Sequence, residues 1–271
     1  MPIVGAMASY THGHHESVLR SHRWRTVDNS AAYLGPRIEP GMTLLDVGCG
    51  PGTLTVDLAR RTAPGRVVGI DVAGSIVDQA RRDIPTNVAG VEFQAGDVYE
   101  LEFDSDTFDI VHAHQVLQHL GDPVAALLEM RRVCKPGGIV AVRDADYAAM
   151  AWAPPDVRLD RWMELYRSVA IANGGQPDAG RFLLGWAIQA GLANIESSAS
   201  AWCFATSDER AWWGGLWAER IRRSTFADSA MSHGIASAAE LDELAAGWLH
   251  WARSDDGWFA VLHGEIIGTV D

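Results

Sequence analysis

Residues 43–53 read Thr43-Leu44-Leu45-Asp46-Val47-Gly48-Cys49-Gly50-Pro51-Gly52-Thr53. A short apolar run that ends in an acid and meets glycines on alternate positions describes a buried strand turning sharply into a helix. Glycine lets such a turn take positive φ and lets a ligand come close to the backbone, while the free N–H groups of the following helix face that ligand.

The pattern repeats outward from this turn. Apolar, β-branched runs at 43–47, 66–70, 91–95, 108–113 and 138–142 alternate with helical stretches, which predicts βαβ units and a parallel sheet covered on both faces. Asp122-Pro123 supplies a helix cap followed by proline at the first helical position, and Lys135-Pro136-Gly137-Gly138 stops that helix. Upstream, Val18, Trp24, Val27, Ala31 and Leu34 have a helical spacing over 17–34. After residue 147 the alternation lapses. Leu159, Trp162, Met163, Tyr166 and Val169 share one face of a helix over 156–172, with Asn173-Gly174-Gly175 as its stop. Thr206 with Glu209 and Ser237 with Glu240 read as capping boxes, and two more strands are expected at 195–204 and 258–267.

Composition sets bounds on function. With 271 residues, 48% hydrophobic and 21% charged, the chain is expected to form one large globular domain. No apolar run approaches the roughly 18 residues of a membrane helix, and the N-terminal stretch lacks the basic and apolar segments of a secretory signal, so a cytoplasmic location is expected. The net charge of −13 opposes wrapping of a nucleic acid and favours a small, neutral or cationic, partly apolar ligand. Cys49, Cys134 and Cys203 are too far apart for a zinc cluster and odd in number for a disulfide framework. His12, His14 and His15 have no matching ligand cluster, so no metal is expected. Ten of the eleven tryptophans follow residue 150.

The second strand leads to Asp71, 23 residues after Gly48, where a carboxylate can accept both hydroxyl hydrogens of a ribose. Turn and acid together indicate a nucleoside cofactor. The dinucleotide fingerprint G-x-G-x-x-G is not met, because position 53 is Thr, which argues against a nicotinamide-dependent oxidoreductase.

At these motifs the chain resembles the class I S-adenosylmethionine-dependent methyltransferases, in particular the ubiquinone and menaquinone biosynthesis methyltransferase-like group. Arg132-Val133-Cys134-Lys135-Pro136-Gly137-Gly138 also matches that group's R-V-L-K-P-G-G stretch apart from Cys134. The resemblance implies a Rossmann-like, doubly wound, seven-stranded, mostly parallel sheet with an N-terminal lid helix and helical cap insertions. It divides the chain into an N-terminal lid and helix over 1–40, a cofactor-binding core over 41–146, and a helical cap insertion over 147–190. Residues 191–271 would complete the sheet, with a helical insertion at 207–254. In the turn, Asp46, Gly48, Cys49, Gly50 and Gly52 would border the methionine part of S-adenosylmethionine. Asp71 and Val72 would meet the ribose, and Asp97 and Val98 the adenine. His114 would stand beside the methionyl end, while Tyr10, His14 and Arg25 are candidates for its carboxylate. Trp152, Trp162, Trp186, Trp212, Trp213 and Trp217 fall where the group carries a substrate cap, as core residues or as an aromatic acceptor pocket.

Methyl transfer from a sulfonium is an in-line displacement that positioning alone can accelerate. If the acceptor needs a base, His119, Asp144 and His14 are the foremost candidates, with His15 and Asp146 behind them. A protein that binds S-adenosylmethionine without transferring its methyl group would carry the same motifs.

Overall fold

A computed structural model of the chain describes residues 10, 11, 13 and 15–271. Its sheet contains β1 (Leu44–Val47), β2 (Val67–Asp71), β3 (Val91–Ala95), β4 (Phe108–His114), β5 (Cys134–Ala145), β6 (Ala151–Ala153), β7 (Ala193–Phe204) and β8 (Trp258–Thr269). The strand order is β3-β2-β1-β4-β5-β8, with β7 also on β8. Pairings among β1 to β5 are parallel, and those of β8 are antiparallel.

Eight strands thus stand where seven were expected. The additional one, β6, pairs with residues 258–260 of β8, beyond the stretch that β5 occupies. Three residues carry too little periodicity to be read as a strand. β5 also begins at Cys134 rather than near residue 138, because a register shift between Phe108 and Ile110 lets Lys135-Pro136-Gly137 run within the strand.

The sheet's two faces can be followed along single strands. Leu44, Val67, Ile110, Ala141 and Ile267 enter one apolar cluster, whereas their neighbours Leu45, Val68, Val111, Val140, Val142 and Ile266 enter another. This two-residue period, with both sets buried, explains why the central strands read as continuous apolar runs.

The helices are α1 (Glu16–Arg23), α2 (Val27–Ser30), α3 (Thr53–Thr62), α4 (Gly74–Arg82), α5 (Pro123–Val133), α6 (Val157–Ala172), α7 (Leu183–Gln189), α8 (Ser207–Arg223), α9 (Thr225–Ser232) and α10 (Ala238–Ala252). Leu54 and Leu58 of α3 cover one sheet face, and Leu127 and Met130 of α5 with Leu183 and Ala187 of α7 cover the other. The single helix expected over 17–34 is broken in two. Thr26 takes an extended conformation and forms a reciprocal capping box with Asn29, so the chain restarts there. Asp122 and Thr206 cap α5 and α8 as their sequences indicate.

Helices α6, α8, α9 and α10 pack on one another around a second core that contains Trp162, Trp213, Trp217, Trp248 and Trp251. Trp162 lies at its centre, with the rings of Trp217 and Trp248 edge-on at 4.6 and 4.8 Å. Most tryptophans therefore serve packing. Trp186 lies apart, beside Phe182 and the sheet-covering cluster. Truncating a fully buried tryptophan costs about 3–5 kcal/mol, so Trp162→Ala should lower the unfolding free energy by that amount in chemical denaturation.

Candidate active site

The chain passes from β1 outward to β3 and then returns to β4 on the other side of β1. Strand order reverses between β1 and β4, and at such a point open α/β sheets hold ligands beyond the carboxyl ends of their strands. A cavity of about 830 Å³ lies there, lined by the glycine turn, Asp71, Asp97, Val98 and His114 among others.

The turn requires its glycines. Gly48, Gly50 and Gly52 have φ of 67°, 54° and 81°. A Cβ on Gly48 would stand 2.4 Å from Val116 Cγ2, and one on Gly52 would stand 2.4 Å from the Phe93 ring. Asp71 Oδ2 accepts from Gly50 N–H at 3.0 Å and Oδ1 from Ala73 N–H at 3.0 Å. The end of β2 therefore holds the turn, and each carboxylate oxygen retains acceptor capacity.

Asp46 is 2% exposed. Its Oδ2 accepts from Thr55 Oγ1 at 2.6 Å, and its Oδ1 lies 2.8 Å from His112 Nδ1. It lines the cavity but braces the turn from behind, tying β1 to α3 and β4. Asp97 Oδ1 accepts from Tyr99 N–H at 2.9 Å, Val98 is buried and Val72 is exposed. His114 is buried and lines the cavity, and neither of its ring nitrogens has a partner among the described residues. Burial and then the charge of Arg25 hold its pKa well below the ordinary histidine value, so the ring is neutral.

These features fit a nucleoside cofactor: a glycine cradle that side chains would fill, a carboxylate at the cavity wall with acceptor capacity left, and a neutral buried imidazole whose nitrogens are free to meet a ligand.

A second, smaller cavity of about 30 Å³ shares Tyr10, His22, Arg25, Gln115 and His119 with the first and extends to Trp202, Trp213, Trp217 and Arg220. Gln115 follows β4 with a φ of 56° and links the two sides. Its Oε1 accepts from Arg25 Nη2, and its Nε2 lies 2.8 Å from His263 Nε2. The Tyr10 ring meets His119 edge-on at 4.7 Å, and burial raises the Tyr10 pKa.

The three foremost base candidates are placed differently. His14 lies outside the described residues. His119 lines both cavities, but burial lowers its pKa to about 3, far below the near-neutral value that suits a general base. Asp144 is fully buried, accepts from Gln118 N–H at 3.1 Å and lines neither cavity. Asp146 is held by Arg181 through two 2.6 Å contacts, and Arg143 pairs with Glu265 at 3.1 Å. Gln115, His22, Trp202 and Arg220 line these cavities although no motif announced them. Each is a lone residue whose neighbours in space are distant in sequence. No group of three or more His, Cys, Asp and Glu among the described residues could hold a metal ion.

Burial raises the Asp144 pKa to about 7. The folded chain then keeps a proton that the unfolded chain releases near pH 4, so this group's contribution to stability falls as pH rises from about 4 through about 7. The stability difference between Asp144→Asn and the unaltered chain should therefore shift in favour of the variant between pH 4 and pH 8, as measured by urea denaturation across that range.

Comparisons with known proteins agree with this geometry. Residues 38–197 match the methyltransferase domain family. An uncharacterised methyltransferase of Schizosaccharomyces pombe is 34% identical over 270 residues, covering 95% of each chain. A ubiquinone/menaquinone biosynthesis C-methyltransferase of Bdellovibrio bacteriovorus is 30% identical over 123 residues, covering 45% of this chain and 50% of that one. Among solved structures, the YcgJ protein of Bacillus subtilis superposes with a TM-score of 0.56 at 19% identity, covering 95% of this chain and 99% of its own, which speaks to the fold. The chain belongs to the methyltransferase domain family.

Proposed function

We propose that this methyltransferase moves a methyl group from S-adenosylmethionine to a small, partly apolar organic acceptor. The observation that carries the reading is the cavity of about 830 Å³ in which the Gly48-to-Gly52 turn, Asp71 and Asp97 stand together at the reversal of strand order. Its volume lies within the range of about 300–1,000 Å³ usual for ligand sites.

When bound, S-adenosylmethionine supplies a methyl group activated by a sulfonium centre. The chain's own residues bind and orient. Asp71 would accept from the ribose hydroxyls, Asp97 from the adenine amino group, and His114 and Arg25 would face the methionyl end. Beyond the shared residues, Trp202, Trp213 and Trp217 line the smaller cavity and supply an apolar wall for the acceptor. A cavity of about 30 Å³ has room for little more than a water molecule, so the acceptor's entry requires these walls to part. Holding acceptor and methyl group together while excluding water is worth several orders of magnitude in an in-line displacement.

The reading also takes the chain to act in the cytoplasm on a metabolite rather than on nucleic acid. It is supported by the net charge of −13, and no helix among the described residues is long and apolar enough to cross a membrane.

Asp71→Ala should weaken S-adenosylmethionine binding at least tenfold by calorimetry, about 1.4 kcal/mol, with Asp71→Asn in between because it keeps one acceptor. Unchanged affinity in both variants would contradict the assignment.

A further inference from the structure

The smaller cavity has an unbalanced charge. Arg25 and Arg220 both line it, while no Asp or Glu among the described residues does. Several guanidinium groups have carboxylate partners, as in Arg143 with Glu265, Arg167 with Asp178 and Arg181 with Asp146, whereas the buried Arg210, away from this cavity, is held by a backbone carbonyl, that of Ala205. Arg25 and Arg220 form no such pair among the described residues. The residues outside the description, 1–9, 12 and 14, include no Asp or Glu that could supply one.

Arg220 is 4% exposed. Its Nη2 donates to Ser17 O at 3.2 Å and Ser21 Oγ at 2.9 Å, both neutral, and its Cζ lies 4.5 Å from the centre of the Trp217 ring. Arg25 donates to the neutral Gln115 Oε1, with its Cζ 5.9 Å from the Trp202 ring. The Nε atoms of both are buried without a partner among the described residues. Cation–π contact offsets part of the cost of burying a guanidinium but leaves its charge unmatched. Burial lowers the pKa of Arg220 and brings that of Arg25 to about 10, where the charges of Arg143 and then Arg220 act in the same direction.

We infer that the methyl acceptor is an organic anion, a carboxylate or an ionised phenol, whose charged oxygen is met by Arg220, with Arg25 shared with the methionyl end of the cofactor, and whose apolar body lies against Trp202, Trp213 and Trp217. This rests on the methyltransferase reading above and reverses the neutral or cationic acceptor expected from the overall charge. The −13 belongs to the chain as a whole, whereas the cavity walls are cationic. The inference also accounts for the weak basicity of His119, because an acceptor that arrives ionised needs no base beside it. Arg220 lines only the smaller cavity and Arg25 lines both, so Arg220 is the residue that separates acceptor recognition from cofactor binding.

The test uses the full-length protein saturated with S-adenosylhomocysteine, after calorimetry has established that this complex forms. A panel of benzoates, phenylpropionates and acidic phenols, each matched with its neutral amide or methyl ether and with an amine, is titrated by tryptophan fluorescence. At least one acid should bind tenfold or more tightly than its neutral partner. That preference should fall below threefold in Arg220→Gln and be retained in Arg220→Lys, with S-adenosylhomocysteine affinity within about threefold of the unaltered protein. A panel in which no acid outbinds its neutral partner overturns the inference, as does a preference that survives Arg220→Gln. Failure of S-adenosylhomocysteine itself to bind counts against the cofactor assignment instead, and the two outcomes are told apart by the first titration.

Discussion

The carboxylate of Asp71 accepts hydrogen bonds from Gly50 N–H and Ala73 N–H, and the geometry of the larger cavity depends on that clamp. It joins the end of β2 to the turn after β1, where three glycines hold positive φ. Asp46 secures the same turn from the opposite side through Thr55 and His112. Two acids of similar chemistry thus divide the task. Asp46, with a partner on each oxygen and almost no exposure, fixes the backbone, while Asp71 fixes it and also faces the cavity. A buried carboxylate held at both oxygens is rigid, and rigidity is what a site that works by positioning requires.

The tryptophan-rich core of α6, α8, α9 and α10 does for the smaller cavity what the glycine turn does for the larger one. Its rings hold Trp213 and Trp217 against the smaller cavity, and Trp217 in turn carries Arg220. Arg25, Gln115 and His263 form a polar chain from the N-terminal segment through the end of β4 to β8. These links join segments 90 and 148 residues apart in sequence, so the two cavities share walls that only the folded chain assembles.

How far the sequence foretold this follows from the physics of each signal. The parallel strands were legible because burial on both faces leaves continuous apolar runs, and the helix starts at Asp122 and Thr206 because capping chemistry is local. That the glycine turn, Asp71 and Asp97 gather at one cavity was legible because their spacing is set by one βαβ unit after another. The strand Ala151–Ala153 was hidden by its length, and the break at Thr26 by an apolar spacing that continues across it. Arg220 was hidden for a different reason. It stands in Trp217-Ala218-Glu219-Arg220-Ile221-Arg222-Arg223, where a charged helix face is the ordinary expectation, and its burial depends on contacts with Ser17 and Ser21 about 200 residues away. Asp144 shows the converse: it stands just beyond the strand expected at 138–142, yet it lies within β5 and its carboxylate accepts from Gln118.

The central claim is that the turn and the acid at the end of β2 form one binding site for S-adenosylmethionine. A crystal structure of the protein with S-adenosylhomocysteine tests it most directly. The account predicts the ribose hydroxyls within hydrogen-bond distance of the Asp71 carboxylate and the homocysteine end beside His114 and Arg25. Ligand density elsewhere, or a ribose with no contact to Asp71, would contradict it.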